Sequence, residues 1–202
     1  MGDMIRAERK QETRERILDV AARHLRSEGI SGAAIGPVMR EAGLTHGTFY
    51  AHFANKADFA SAAFAHAIRK RRGNWLGKTQ DGSWFARLKR LAAGYLTPKH
   101  RDNPGTGCAF ATTVCESGRA ERDFRAAYGA ELLETLEAIR APFHGGDADD
   151  EERMDEAIAL MALCVGGLAL SRAVADEDLS DRILRACRTS AARHADATGD
   201  ES

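Results

Sequence analysis

The sequence predicts an all-α protein, with a small N-terminal helix-turn-helix domain followed by a larger C-terminal helical domain. Aromatic residues make up only 6% of the chain while Ala, Leu, Arg and Glu abound, and no run alternates apolar and polar residues as a half-buried strand would. Apolar residues recur instead at spacings of three and four, in Ile17, Leu18, Ala21, Ala22 and Leu25 and again in Ile35, Val38, Met39 and Ala42. The stretch from Gly43 to Phe53 then places a helix stop, a tight turn and a helix start within a few positions. That is the junction of a helix-turn-helix.

Taken in order, the first helix is expected from about Arg6 to Ser27, with Gly29 as its stop. Gly43 sits where a left-handed residue would end the second helix. Thr45 is expected to lend its side-chain oxygen to the free amides of the third. That helix buries Phe49 and Phe53 and leaves His46, Thr48, Tyr50 and His52 facing elsewhere with hydrogen-bonding groups, a face suited to a DNA groove. Asn55 with Asp58 three residues on makes a reciprocal cap for a long fourth helix. Lys56, at its first position, can meet a phosphate together with free amides.

Beyond residue 80, Ser83 is placed to cap a helix carrying Trp84, Phe85, Leu88, Leu91 and Leu96. The segment from Thr97 to Gly107, with Pro98, Pro104, Gly105 and Gly107, reads as a loop. Helices are expected over about 107–118, 121–143, 150–175 and 178–195, separated by Gly118, by Gly145-Gly146-Asp147 and by Asp176-Glu177-Asp178. The polar end, Ala195 to Ser202, is expected to fray.

Charge and composition narrow the partners. Residues 1–60 hold 9 Lys+Arg against 8 Asp+Glu, and the whole chain is −1, so DNA contact has to come from a local surface. Arg6, Arg9 and Lys10 are further phosphate candidates there. Arg69-Lys70-Arg71-Arg72, the densest basic run, reads as a solvated helix face. The charged N-terminus lacks the apolar core of a signal peptide, and the apolar run from Ala157 to Leu170, roughly 14 residues, is short for a bilayer of about 30 Å. A soluble cytoplasmic protein without membrane contact is expected.

Four cysteines in such a chain suggest free thiols. Cys108 and Cys115 are seven residues apart, about 10 Å along a helix and beyond the reach of a bridge. Neither His100 with Cys108 nor His144 with the acidic run from Asp147 to Glu152 has the ligand spacing of a zinc site. Without a phosphate-cradling glycine motif or a recognisable nucleophile, neither a cofactor nor enzymatic activity is expected.

The order Ile17-Leu18, Ala21-Ala22, Gly29, Ala42-Gly43-Leu44-Thr45, Gly47-Thr48-Phe49-Tyr50, His52-Phe53 and Lys56 resembles the tetracycline-repressor (TetR) family of bacterial transcription regulators over about residues 12–60. The resemblance implies a DNA-binding domain over 1–55 and a ligand-binding and dimerisation domain over 56–202. It further implies a homodimeric repressor, a palindromic double-stranded operator and release by a small-molecule effector. Thr45, Tyr50, His52 and Lys56 match positions that commonly hold phosphates, while His46, Gly47 and Thr48 lie where base edges can be reached. Gly47 would act by leaving the approach clear, since glycine in a helix otherwise costs about 1 kcal/mol. Ala33-Ala34 departs from the pattern, which commonly has a capping Thr or Ser there. With Gly36-Pro37 following, the second helix is expected to start nearer Pro37 with weaker phosphate contact.

The same resemblance pairs the last two long helices with their copies across a two-fold axis. Gly166 and Gly167 would let backbones approach, and Leu160, Leu163, Leu168, Leu170, Ile183 and Leu184 offer packing surface; the alternative is a merely intramolecular central helix. Trp75, Phe110, Val114, Tyr128 and Leu132 are candidates for an effector pocket, and each is equally suited to a core. Thr106-Gly107-Cys108 looks like a helix start that would put the Cys108 thiol in a first turn. It also resembles a branch of the family in which some members sense electrophiles through a cysteine here. The alternative is that Cys108 is a small packed residue.

Overall fold

The structure is a computed structural model that describes residues 2–77, 83–141 and 149–197. The expected separator Gly145-Gly146-Asp147, His144 and the tail from residue 198 lie outside the described residues. Among the described residues there are ten α-helices and no strand: α1 (Gly2–Glu28), α2 (Ile35–Glu41), α3 (His46–Phe49), α4 (Lys56–Leu76), α5 (Trp84–Tyr95), α6 (Pro98–Asp102), α7 (Ala109–Ser117), α8 (Arg122–Arg140), α9 (Asp149–Ala173) and α10 (Glu177–Ala197). Short 3-10 turns occupy Ile30–Gly32 and Pro104–Thr106. The chain forms two compact units, Met1–Lys70 with Gly105–Glu131, and Arg71–Pro104 with Leu132–Ser202.

In the first unit, α1 buries Ile17, Leu18, Ala21, Ala22 and Leu25 as its spacing predicts. It stops where Gly29 takes φ 75° and returns its amide to the Leu25 carbonyl at 3.0 Å. Helix α2 begins at Ile35, not at Pro37. Ala34 is extended and offers no side-chain cap, and Pro37 is the third helical residue, in a first turn whose amides have no acceptor within the helix. The expected shift is therefore unnecessary.

Helix α7 has two working faces. On one, the Thr112 hydroxyl donates to the Arg26 carbonyl at 3.0 Å and Glu116 Oε2 accepts from the Ile30 amide at 2.8 Å, while in the turn before the helix the Gly105 carbonyl accepts from Arg26 Nε at 2.7 Å. These bonds hold the end of α1 and the turn leading to α2. On the other face Phe110 meets Phe64 at 5.5 Å and Tyr128 at 5.1 Å, while Phe64 and Tyr128 stack on each other. The basic run at the end of α4 is engaged in ion pairs rather than merely solvated. Arg69 reaches the buried Glu131, and Lys70 shares Asp19 with His66. Burial works to raise the Asp19 pKa, but the hydrogen bonds from Lys70 and His66 outweigh it and hold the carboxyl below its usual range.

In the second unit, Ser83 caps α5 by accepting from the Ala86 amide at 3.3 Å, and Trp84, Leu88, Leu91 and Leu96 are buried. The segment expected as a loop contains α6. Its start combines a cap, with Thr97 Oγ1 accepting from the His100 amide at 3.1 Å, and a proline at the first helical position. Helix α9 buries Ala157, Leu160, Met161, Cys164 and Leu168. The 24 residues Asp150–Ala173 are long and apolar enough to cross a membrane by length and composition, more than the apolar run alone suggests, and 44% of the most apolar window is buried within the molecule. Arg87, almost fully buried, donates to the carbonyls of Ile139 at 2.9 Å and Ala138 at 3.2 Å, which close the end of α8.

His100 carries a pH dependence. Its Nδ1–H donates to the Tyr95 carbonyl at 2.8 Å. Burial pushes its pKa down to about 4, opposed by that bond and helped by Arg172 and Arg71. A histidine kept neutral when folded contributes its full stability above its ordinary pKa of about 6.5 and loses it as pH falls toward about 4. His100→Asn is therefore expected to shrink the loss of stability between pH 6.5 and 4.5, by up to about 2 kcal/mol. Urea unfolding at both pH values checks this. An unchanged difference between them would assign the acid limb to other groups.

Candidate nucleic-acid interface

The helix-turn-helix is built from local signals. Gly43 takes φ 70°, its amide bonds the Arg40 carbonyl at 3.1 Å, and the Leu44 amide bonds the Met39 carbonyl at 2.9 Å. This is a left-handed helix stop. A Cβ on Gly43 would meet no atom within 4 Å, so the backbone angle alone asks for glycine. Thr45 is extended, as a residue before a helix should be, but its hydroxyl pairs with the Thr48 hydroxyl at 2.9 Å and caps no amide. The side-chain cap expected at Thr45 is thus replaced by a threonine pair.

Helix α3 is a single turn, continued by bends that return the Phe53 amide to the Phe49 carbonyl at 3.1 Å. What fixes it is aromatic packing. Phe49 lies 5.4 Å from both Phe53 and Phe59, and Phe53 lies 4.8 Å from Phe59. The Arg14 guanidinium sits 4.8 Å above the Phe53 ring, tying α1 to the same cluster. With both phenylalanines turned inward, Thr45, His46, Gly47, Tyr50 and Lys56 are exposed and Thr48 and His52 half-buried. Tyr50 stands out from the surface, its ring edge-on to Phe49 at 5.2 Å and to His46 at 6.0 Å.

The fold makes no demand for glycine at position 47. The backbone there has no positive φ, and an added Cβ would meet only Thr45 Oγ1, at an ordinary 3.9 Å. Lys56 opens α4 beside the reciprocal cap that the sequence predicts: Asn55 Oδ1 accepts from the Asp58 amide at 2.8 Å and Asp58 Oδ2 from the Ala54 amide at 3.0 Å. His52 keeps a buried Nδ1 without a hydrogen-bond partner. Burial first, then the charges of Lys10 and Arg14, push its pKa down. Those two cations belong to α1, which is helical from Gly2, four residues earlier than expected, and Arg6, Arg9 and Lys10 are exposed on it. Arg14 carries no sequence signal for this role.

Residues 17–63 match the family described as bacterial regulatory proteins, tetR family. Over those residues the chain is similar to the tetR family. It is 45% identical over 51 residues to the HTH-type transcriptional regulator AcrR of Shigella flexneri, covering 25% of this chain and 24% of that one. It is 38% identical over 55 residues to the HTH-type transcriptional regulator SrpR of Pseudomonas putida, covering 27% and 26%. The match thus spans about a quarter of the length of these curated relatives. A TetR transcriptional regulator from Chloroflexus aurantiacus matches with a TM-score of 0.70 and 25% identity over 93% of this chain and 96% of that chain. A tetR-family regulator from Cytophaga hutchinsonii shares the fold, with a TM-score of 0.71 and 21% identity over 91% and 95%.

Beyond residue 63 the candidates separate. Phe110 and Tyr128 touch within the first unit, where Val114 is exposed. Trp75 and Leu132 belong to the second, with Trp75 donating from Nε1 to the Leu91 carbonyl at 3.2 Å and packing against Tyr95. Of the residues assigned to a two-fold interface, Leu160, Gly167 and Leu184 are buried within the chain, Leu163, Gly166 and Ile183 are half-buried, and Leu170 is 58% exposed. Leu168, weighed with them, is fully buried. All four cysteines are free. Cys108 precedes α7 as its extended N-cap, one position before the first turn that the sequence suggested.

Proposed function

We propose that this chain is a cytoplasmic DNA-binding transcriptional regulator, a homodimeric repressor released from a palindromic operator by a small-molecule effector. The observation that carries this reading is the exposed polar face of α3, seated on three packed phenylalanines and holding a glycine that the fold does not need. Thr45, Tyr50, His52 and Lys56 are assigned to phosphates, and His46, Gly47 and Thr48 to base edges in the major groove. Residues 1–55 serve DNA binding, and residues 56–202 ligand binding and dimerisation. Two copies would place their α3 helices in half-sites about 34–36 Å apart, or a multiple of that. Candidate effector contacts are Phe110, Val114 and Tyr128 in the first unit and Trp75 and Leu132 in the second. Electrophoretic binding to the DNA flanking its own coding region tests the reading. Equal affinity for that DNA and for random duplex would overturn it.

Lys56→Ala and Tyr50→Phe are expected to weaken specific and random duplexes alike, because phosphates carry no sequence. The lysine change should also lower the salt slope of log K by about 0.9, one phosphate's worth. An unaltered slope would remove Lys56 from the phosphate contacts.

A thiol-responsive repressor is the second reading, favoured by the setting of Cys108. Cys108 is a free, half-buried thiol at the N-cap of α7, the helix that carries Phe110 of the aromatic cluster. On this reading Cys108 is the fastest of the four thiols to alkylate, and Cys108→Ser keeps DNA binding while losing release by electrophiles. Equal, slow labelling of all four cysteines would discard it.

A further inference from the structure

Helix α1 begins well before the core does. Among the described residues its first buried one is Ile17, and residues 4–12 are all exposed, a projecting stretch of about 14 Å. Those turns sort their charges by side. At about 100° per residue, Arg6, Lys10 and Arg14 fall on one stripe with Ile17, while Glu8, Glu12 and Glu15 gather on the opposite side. The linear order Arg-Ala-Glu-Arg-Lys-Gln-Glu-Thr-Arg-Glu, with its signs mixed, hides this division.

The basic stripe starts at the helix-turn-helix. Arg14 sits 4.8 Å above the Phe53 ring. Lys10, one turn earlier, is near enough to His52 for its charge to lower that side chain's pKa, and Arg6 continues the row. Cations at successive i,i+4 positions repel one another and weaken a helix standing alone. The ion pairs that α1 makes with other helices involve Asp19, Arg23 and His24, all beyond the projecting turns, and among the described residues no carboxylate pairs with Arg6 or Lys10. A row of cations about 6 Å apart along the axis suits a polyanion such as a phosphate backbone. An anionic lipid surface would call for an apolar face beside the basic one, and Met4 and Ile5, the exposed apolar residues here, flank the acidic side instead.

We infer that the projecting half of α1 is a second DNA-binding element, laying Arg6 and Lys10 against phosphates of the duplex that α3 enters and turning Glu8, Glu12 and Glu15 to solvent. The inference rests on the DNA-binding reading. Arg14, held over Phe53, fixes the row against the aromatic cluster under α3. Because phosphates carry no sequence, the element adds affinity and orientation and selects no base.

The test is fluorescence anisotropy of the full chain on a labelled random duplex and on the DNA flanking its coding region, each titrated over a range of salt. Arg6→Gln/Lys10→Gln is expected to reduce the slope of log K against log salt by about 1.8 per bound chain, two phosphates' worth, and to weaken both duplexes by the same factor. Glu8→Gln/Glu12→Gln, which changes net charge by the same amount in the opposite sense, should leave the slope unaltered. The exchange Arg6→Lys/Lys10→Arg should keep the wild-type slope, because these contacts need charge. Gln, Lys and Arg are all good helix formers, and the positions are exposed, so each variant should fold. An unaltered slope in Arg6→Gln/Lys10→Gln, or equal and opposite changes of affinity in the two charge-removing variants, would overturn the inference and leave the DNA-binding reading standing. A wild-type chain that binds neither duplex would overturn both.

Discussion

Phe49→Ala is expected to destabilise the first unit by about 3–5 kcal/mol and to abolish specific DNA binding. Phe49 is fully buried and meets Phe53, Phe59 and Tyr50. Helix α3 is one turn long, too short to hold itself together by backbone bonds. Its orientation therefore depends on this ring, and truncation removes both the packing and the support for the surface that would enter the groove. Phe49→Leu keeps most of the volume and should cost under about 1.5 kcal/mol. Urea unfolding and electrophoretic binding, run on both variants, separate the effects. A Phe49→Ala protein that unfolds at the wild-type urea concentration and still selects its operator would show that α3 is held by something other than the aromatic cluster.

The parts of the fold legible in the sequence are those whose cause is local. Gly43 stops a helix through its own φ, Asn55 and Asp58 cap one within four residues, and Ser83 does so within three. Thr97-Pro98 carried an equally local signal, a cap followed by a first-turn proline, but the density of Pro and Gly after it reads as loop. Thr45 shows a different limit. Its position was legible, while the competition for its hydroxyl between an amide and Thr48 was settled by geometry that the sequence does not encode nearby. Contacts across long separations leave no pattern at all. Glu116 accepting from the Ile30 amide, Arg14 over Phe53 and Trp84 against Glu156 join residues that only the folded chain brings together.

Helix α9 poses this problem most sharply, because it is apolar nearly all round and the sequence does not say which of its two adjacent glycines faces inward. A Cβ on Gly167 would stand 2.8 Å from Cys187 Sγ and 3.0 Å from a Leu96 methyl, whereas one on Gly166 would meet nothing within 4 Å. Gly167 is thus where α10 and Leu96 close on α9 within one chain. Gly166 lies four residues before the exposed Leu170 and eight after Ile158, which is 47% exposed, on one helical stripe. Gly167→Glu is therefore expected to fail as a fold, through overpacking and a buried unpaired charge worth about 3–5 kcal/mol. Leu170→Glu should leave the isolated chain within about 0.5 kcal/mol of wild type, as exposed changes do. If the proposed homodimer closes over this stripe, the same change sets like charges against each other across the two-fold axis. The dimer should then dissociate at concentrations at least 100-fold higher than wild type, and operator binding should fall with it, because one α3 helix reaches only one half-site. Analytical ultracentrifugation checks the first effect and electrophoretic binding the second. A Leu170→Glu protein that remains a tight dimer would move the interface off this stripe, and a Gly167→Glu protein that folds normally would mean that α10 does not pack on α9 as described.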